Sequence, residues 1–234
     1  MEKFTLSIAV LVFAFLVGCS QKENSQKANN PAKESTTQID ASVESPEKSA
    51  TERLNELVNK QFTIQADQIS NNDYASIEEI GKAFVNLYTG AVAEQEAVSF
   101  EHYIANENLL TFTNKMLTLE QQQELKGGIG VNFGMDNEFK EVELKKLDDN
   151  LYYLRLTFTN QGSGMSCKLL VQSVNKSLKI VDLYFGNKDG VDTMATGHPS
   201  EKKLDNPKLW DDQKWMKGVM EKLEKYETEL NSNS

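Results

Sequence analysis

An α+β fold follows from three features of this sequence. Apolar residues before Gly128 recur at helical spacing. Four consecutive runs after it alternate apolar and polar residues. Short polar turns separate those runs. Helices that precede an antiparallel meander pack on one face of it. The expected architecture is therefore N-terminal helices on a curved four-stranded antiparallel sheet, with a C-terminal helix.

The helices come first. Ala50–Lys60 carries Leu54, Leu57 and Val58 on one helical face. Ser76-Ile-Glu-Glu79 has the spacing of a capping box, and Ile77, Ile80, Phe84, Leu87, Tyr88 and Ala91 then mark one face of a longer helix. Ser99–Asn106 reads as a short helix and Glu107–Leu117 as another. Thr118-Leu-Glu-Gln121 repeats the capping-box spacing, and Gly127-Gly128 closes the segment.

Four strands follow. Phe139–Leu147 alternates through Val142 and Leu144, and Leu151–Thr159 through Tyr152, Leu154, Leu156 and Phe158. Met165–Val174 and Leu178–Phe185 complete the set. Turns are expected at Asp148-Asp149-Asn150, Gln161-Gly-Ser-Gly164 and Asn175-Lys-Ser177. A last helix begins near Asp211-Asp212, whose charges suit a helix N-terminus, and carries an apolar stripe of Trp215, Val219, Leu223, Tyr226 and Leu230.

The N-terminal region has a different character. Thr5–Val17 is almost continuously apolar for about 13 residues, short of the roughly 20 a membrane-spanning helix needs. It follows Met1-Glu2-Lys3-Phe4, and these proportions fit a secretory signal. The run ends at Leu16-Val17-Gly18-Cys19. That tetrapeptide resembles the lipobox of bacterial lipoproteins, with a Leu three residues before the Cys and a small residue directly before it. The resemblance implies cleavage between Gly18 and Cys19. It also implies a diacylglyceryl group on the Cys19 thiol and acylation, as with palmitate, of the new N-terminus. One acyl chain binds a bilayer marginally and two or more bind it stably. The alternative is a soluble secreted protein in which Cys19 is incidental.

The composition agrees with such an address. From Ser20 to Ala50 the chain is rich in Ser, Lys, Glu, Asn and Gln and lacks aromatic residues, the composition of a disordered tether. At 5–6 Å × √n, such a segment holds the domain about 30 Å from the lipid. The expected organisation is a signal peptide over 1–18, a tether over 19–50, one α+β domain over 51–230 and a short disordered tail over 231–234. There are two cysteines. With Cys19 lipidated, Cys167 has no intrachain disulfide partner, and its apolar strand makes it a buried, inert thiol. A net charge of −10, with no basic cluster interleaved with aromatics, argues against nucleic acid.

The order of elements from Ser76 to Gly186 resembles the nuclear transport factor 2-like fold and its cystatin-like relatives. That resemblance implies a cone-shaped α+β domain, which in those families holds either a catalytic pocket or a non-catalytic binding or dimerising surface.

Motifs for chemistry are sparse. His102 and His198 are far apart, and neither has a His or Cys at metal-ligand spacing. Asn187-Lys-Asp-Gly190-Val-Asp192 fails as a calcium loop, because Phe185 and Thr196 occupy positions where Asp and Glu are required. Ser173-Val-Asn-Lys176 and Ser200-Glu-Lys-Lys203 lack the companion motifs of penicillin-recognising enzymes. Gly127-Gly-Ile-Gly130 precedes a strand where a phosphate cradle would open a helix. Asp148-Asp149 and Asp211-Asp212 fit a turn and a helix start. Tyr152, Phe158, Tyr184 and Phe185 either line a pocket or fill the core.

The expectation is a lipoprotein of the bacterial cell envelope, anchored through Cys19 on the extracytoplasmic side. Ser20 is not the Asp associated with inner-membrane retention. In a cell with two membranes the outer membrane is therefore favoured, and with one membrane the outer face of the plasma membrane. The domain is expected to be a non-catalytic binding or interaction module for an envelope protein or small ligand, with no cofactor, metal or catalytic residue assigned. The alternatives are a pocket enzyme of isomerase or hydratase type and a structural subunit of an envelope complex.

Overall fold

A computed structural model of the chain describes residues 48–126, 133–186, 190–197 and 203–232. Helix α1 spans Ala50–Val58 and opens on a reciprocal cap. Ser49 Oγ accepts from the Glu52 backbone at 3.3 Å, and Glu52 Oε2 accepts from the Ser49 backbone at 2.9 Å.

Helix α2, Tyr74–Ala93, is the centre of the core, with Ile77, Ile80, Phe84, Leu87, Tyr88 and Ala91 all withdrawn from solvent. It begins earlier than its sequence signal. Ser76 lies inside the first turn, so the expected cap at Ser76–Glu79 is not formed. The capping bonds sit upstream instead, where Asp73 Oδ2 accepts from Ser70 N at 2.8 Å and from Ser70 Oγ at 2.6 Å. Tyr74 then packs edge-on against Tyr152, with ring centroids 5.7 Å apart.

Helix α3 is a single element, Glu107–Leu125, and Ser99–Asn106 is a turn with an isolated bridge at Ile104, not the short helix expected. Asn106 is its cap, accepting from the Asn108 and Leu109 backbones at 3.0 and 3.1 Å. Thr118 therefore lies mid-helix and opens nothing; its hydroxyl donates to the Asn114 carbonyl at 3.1 Å. Gly127 and Gly128 lie outside the described residues.

The four strands are where the alternation places them: β1 Asn137–Asp148, β2 Leu151–Asn160, β3 Ser163–Val174 and β4 Ser177–Tyr184. They pair in sequence order and antiparallel throughout. Gln161-Gly162 and Asn175-Lys176 make the tight turns, with φ of 47° and 79° in the first and 51° and 62° in the second. Consecutive positive-φ residues match the twist of the flanking strands.

One face of the sheet carries Phe158, Leu156, Leu154 and Tyr152 of β2 opposite Met165, Cys167, Leu169 and Val171 of β3, and this face meets the helices. Gly81 permits that contact. A Cβ there would collide with Leu154 Cδ2 and stand 3.1 Å from Leu156 Cδ1, so α2 rests its backbone on the sheet.

After β4 comes α4, Val191–Thr196. Asp192, buried, holds it: Oδ2 accepts from the Phe185 backbone at 2.9 Å and Oδ1 from the Thr196 hydroxyl at 2.8 Å. A 3-10 turn at Leu209–Asp211 leads into α5, Gln213–Ser232. Asp212 Oδ1 accepts from the Lys214 and Trp215 backbones at 2.9 and 3.0 Å, which gives Asp212 its expected role at the helix start, while Asp211 lies in the 3-10 turn and accepts from Asn106 Nδ2. Met216, Val219 and Leu223 are buried, with Trp215, Tyr226 and Leu230 at the margin of the same face. The result is an α+β fold: helices and a four-stranded antiparallel sheet with a C-terminal helix.

Candidate functional site

The helical side of the sheet is filled by aromatic side chains. Phe84 lies with its ring centroid 5.5 Å from Phe100 and 6.0 Å from Tyr103, and Tyr88 lies 4.6 Å from Phe185. Tyr152 and Phe158, two of the candidates to line a pocket, belong to this core. Tyr184 lies on the opposite face beside Lys168, its hydroxyl 2.6 Å from the Thr193 hydroxyl.

One ionisable cluster sits in this interior. Tyr88 of α2 donates from its hydroxyl to Glu120 Oε2 of α3 at 3.0 Å. Burial pushes the Glu120 carboxyl up to about 7; the Tyr88 bond acts against the shift, and the charges of Asp192 and Glu124 add to it. Tyr88 is driven well above the ordinary tyrosine range, by burial first and then by Glu120, so it stays a neutral donor. Tyr226 of α5 is raised by burial and by Glu120. Cys167 of β3 is raised well above the thiol range by burial and by Asp192, which agrees with an inert thiol. The cluster can hold a proton near neutral pH. No sequence signal marked Glu120, a polar residue in a Gln-rich helical stretch.

Besides Asp192, Asp182 of β4 is a buried carboxylate. Asp182 Oδ1 accepts from Trp210 Nε1 at 2.8 Å and from the Leu183 backbone at 2.9 Å. Trp210 is itself fully buried, 4.8 Å from Phe112 and 4.7 Å from Trp215 between ring centroids. The signal available was a charge inside the apolar run Leu178–Phe185.

The other face of the sheet is open at β1 and β2. A groove of about 330 Å³ is lined by Glu141, Val142, Glu143, Arg155 and Thr157. The register places Glu141 opposite Thr157 and Glu143 opposite Arg155, with Lys145 opposite Tyr153 beyond them. Arg155 Nη1 stands 3.8 Å from Glu143 Oε2, and both side chains keep about half their surface in water. A smaller hollow of about 130 Å³ lies between α1 and the loop Glu96–Ser99. The β1–β2 face offers both charges, hydroxyl groups and an aromatic ring in one row. That is the chemistry of a polar recognition surface.

The sequence candidates separate as follows. Gly18, Cys19, His198, Ser200 and Gly127–Gly130 lie outside the described residues. His102 is half-buried, and its carbonyl, with that of Glu101, accepts from Lys179 Nζ at 2.8 and 2.9 Å. Ser173 and Lys176 belong to a strand end and a turn, with Lys176 3.5 Å from Asp67. Among the described residues no three His, Cys, Asp or Glu side chains gather as a metal site, and no helix is long and apolar enough to cross a membrane. No family model matches the chain, and neither a curated protein nor a solved structure matches it.

Proposed function

We propose that this chain is a lipid-anchored lipoprotein of the bacterial cell envelope, tethered through Cys19 on the extracytoplasmic side. Its folded domain acts as a non-catalytic interaction module. The observation that carries the anchor is Leu16-Val17-Gly18-Cys19 at the end of a short apolar run, followed by a polar segment. The placement of α1 fits it: the helix opens at its Ser49–Glu52 cap, about thirty residues beyond Cys19. The filled aromatic interior and the open β1–β2 row favour binding at the sheet surface. The pocket-enzyme reading keeps one supporting observation, the Glu120 carboxyl held to about 7 beside Tyr88.

The test of the anchor is the intact mass of the N-terminal peptide from a membrane fraction. The expected species begins at Cys19 and carries acyl chains. Cys19→Ser is expected to leave an uncleaved precursor without lipid. An unlipidated native N-terminus, or normal processing of the variant, overturns the anchor.

A further inference from the structure

The two edges of the sheet are treated differently. The β4 edge is closed: Leu178 N donates to the Phe62 carbonyl at 2.8 Å, Ile180 N to the Tyr103 carbonyl at 2.8 Å, and Ile64 N to the Lys176 carbonyl at 2.9 Å. Among the described residues no segment pairs with the outer edge of β1, a strand of twelve residues. An open edge of that length presents a row of unpaired backbone donors and acceptors. Val142 and Leu147 on it are each 36% exposed.

Charges on an edge ordinarily repel other strands, and β1 is heavily charged. Its charges are, however, complementary to their own reversal. In an antiparallel pairing of two copies about a two-fold axis at Leu144, Leu144 meets its counterpart on the side of the sheet that faces the helices. Val142 there meets the aliphatic stem of the second copy's Lys146. On the open face Glu143 meets the second copy's Lys145, and the reverse contact repeats it. Glu143 would then lie between Arg155 of its own chain and the second copy's Lys145. Lys145 and Glu141 have no ion pair of their own among the described residues.

Neighbouring registers are worse. Moving the axis to Glu143 sets that carboxylate against itself, and moving it to Val142 sets Glu141 against Glu143. Moving it to Lys145 or Lys146 opposes two ammonium groups. Leu144 is the centre among these five at which no like charges face each other directly.

We propose that two copies of this chain associate edge to edge through β1, in the register centred on Leu144, into one continuous antiparallel sheet. This deepens the reading of the domain as an interaction module, and rests on it, by naming a second copy as the partner. Anchoring both copies to one membrane surface would raise their local concentration for such pairing.

The test is native mass spectrometry of the full chain released from detergent over a concentration series. It is run on the wild type, Glu143→Lys, Lys145→Glu and the double variant, with the melting temperature of each measured alongside. Both side chains are exposed, so folding is expected to be retained in all four. The wild type is expected as a dimer. Each single variant places like charges opposite each other twice and is expected to weaken the dimer by about tenfold or more, and the double variant to restore it. A wild type that stays monomeric overturns the proposal and leaves an extended segment of another protein as the occupant of the edge. A double variant no better than the singles overturns the register, because an axis at Glu143 would leave the introduced lysine facing its own copy. The anchor is read separately from the N-terminal mass, so failure of either reading is visible without the other.

Discussion

Glu120 makes the stability of this domain depend on pH in the sense opposite to most carboxylates. In the folded chain burial holds its carboxyl at about 7, against an ordinary value of 4.5. Between those limits the folded state keeps a proton that the unfolded chain releases. Stability therefore falls as pH rises through the window and levels off above it. At about 1.4 kcal/mol per pH unit the full effect is roughly 3 kcal/mol, an upper figure because the side chain keeps some contact with water. Glu124 is also raised, by burial, and Asp192, Tyr88, Tyr226 and Cys167 face the same space. A single variant isolates the Glu120 contribution. Glu120→Gln keeps an oxygen to accept from Tyr88 and cannot ionise. Urea unfolding at pH 5, 6, 7 and 8 is the assay. The variant is expected to differ least from the wild type at pH 5 and to exceed it by up to roughly 3 kcal/mol at pH 8. Parallel curves, or a gap that opens toward acid, would refute the reasoning.

Two further perturbations probe the packing. Gly81→Val drives a branched side chain into Leu154 and Leu156, and the overpacking is expected to cost on the order of 3 kcal/mol, read as a lower urea midpoint; an unchanged midpoint would mean that α2 does not rest on the sheet there. Trp210→Phe removes the donor to Asp182 Oδ1, with an expected cost of about 2–3 kcal/mol, and a double-mutant cycle with Asp182→Asn is expected to show coupling between the two; additive losses would deny the bond.

The sheet was legible because its determinants are local. Alternation in Leu151–Thr159 sets which face is buried, and Gln161-Gly162 and Asn175-Lys176 reverse the chain in two residues each. Helix starts were less legible because the capping-box spacing is degenerate. The same pattern occurs at Ser49, Ser76 and Thr118, and only Ser49 uses it to open an α-helix. At Ser76 the turn already begins at Tyr74, which packs on Tyr152. At Thr118 the helix has run from its Asn106 cap. At Ser76 a contact between distant residues accompanies the earlier start, and at Thr118 the Asn106 cap has already opened the helix. Helix α4 depends on information of that kind, since the Asp192 carboxylate accepts from the Phe185 backbone at the end of β4. Glu120 was invisible because a helical Glu is ordinarily solvated, and its partial withdrawal from water beside Tyr88 depends on how α2 packs against α3.

The distribution of polar groups decides where binding is least costly. Inside, Tyr88 is engaged with Glu120 and Asp182 with Trp210, and a ligand entering there would have to break a hydrogen bond to a buried group before it gained one. On the β1–β2 face Glu143 and Arg155 are solvated and only loosely paired at 3.8 Å, so they can exchange water for a partner at little cost. Glu141, Lys145 and the outer backbone groups of β1 are equally available among the described residues. Selectivity then comes from register. A strand that sets like charges against Glu143 or Lys145 is disfavoured, and a reversed copy of β1 about Leu144 does not do so. In the proposed pairing the same charges that disfavour a mismatched strand match a reversed copy of β1, so a charged edge is compatible with specific association.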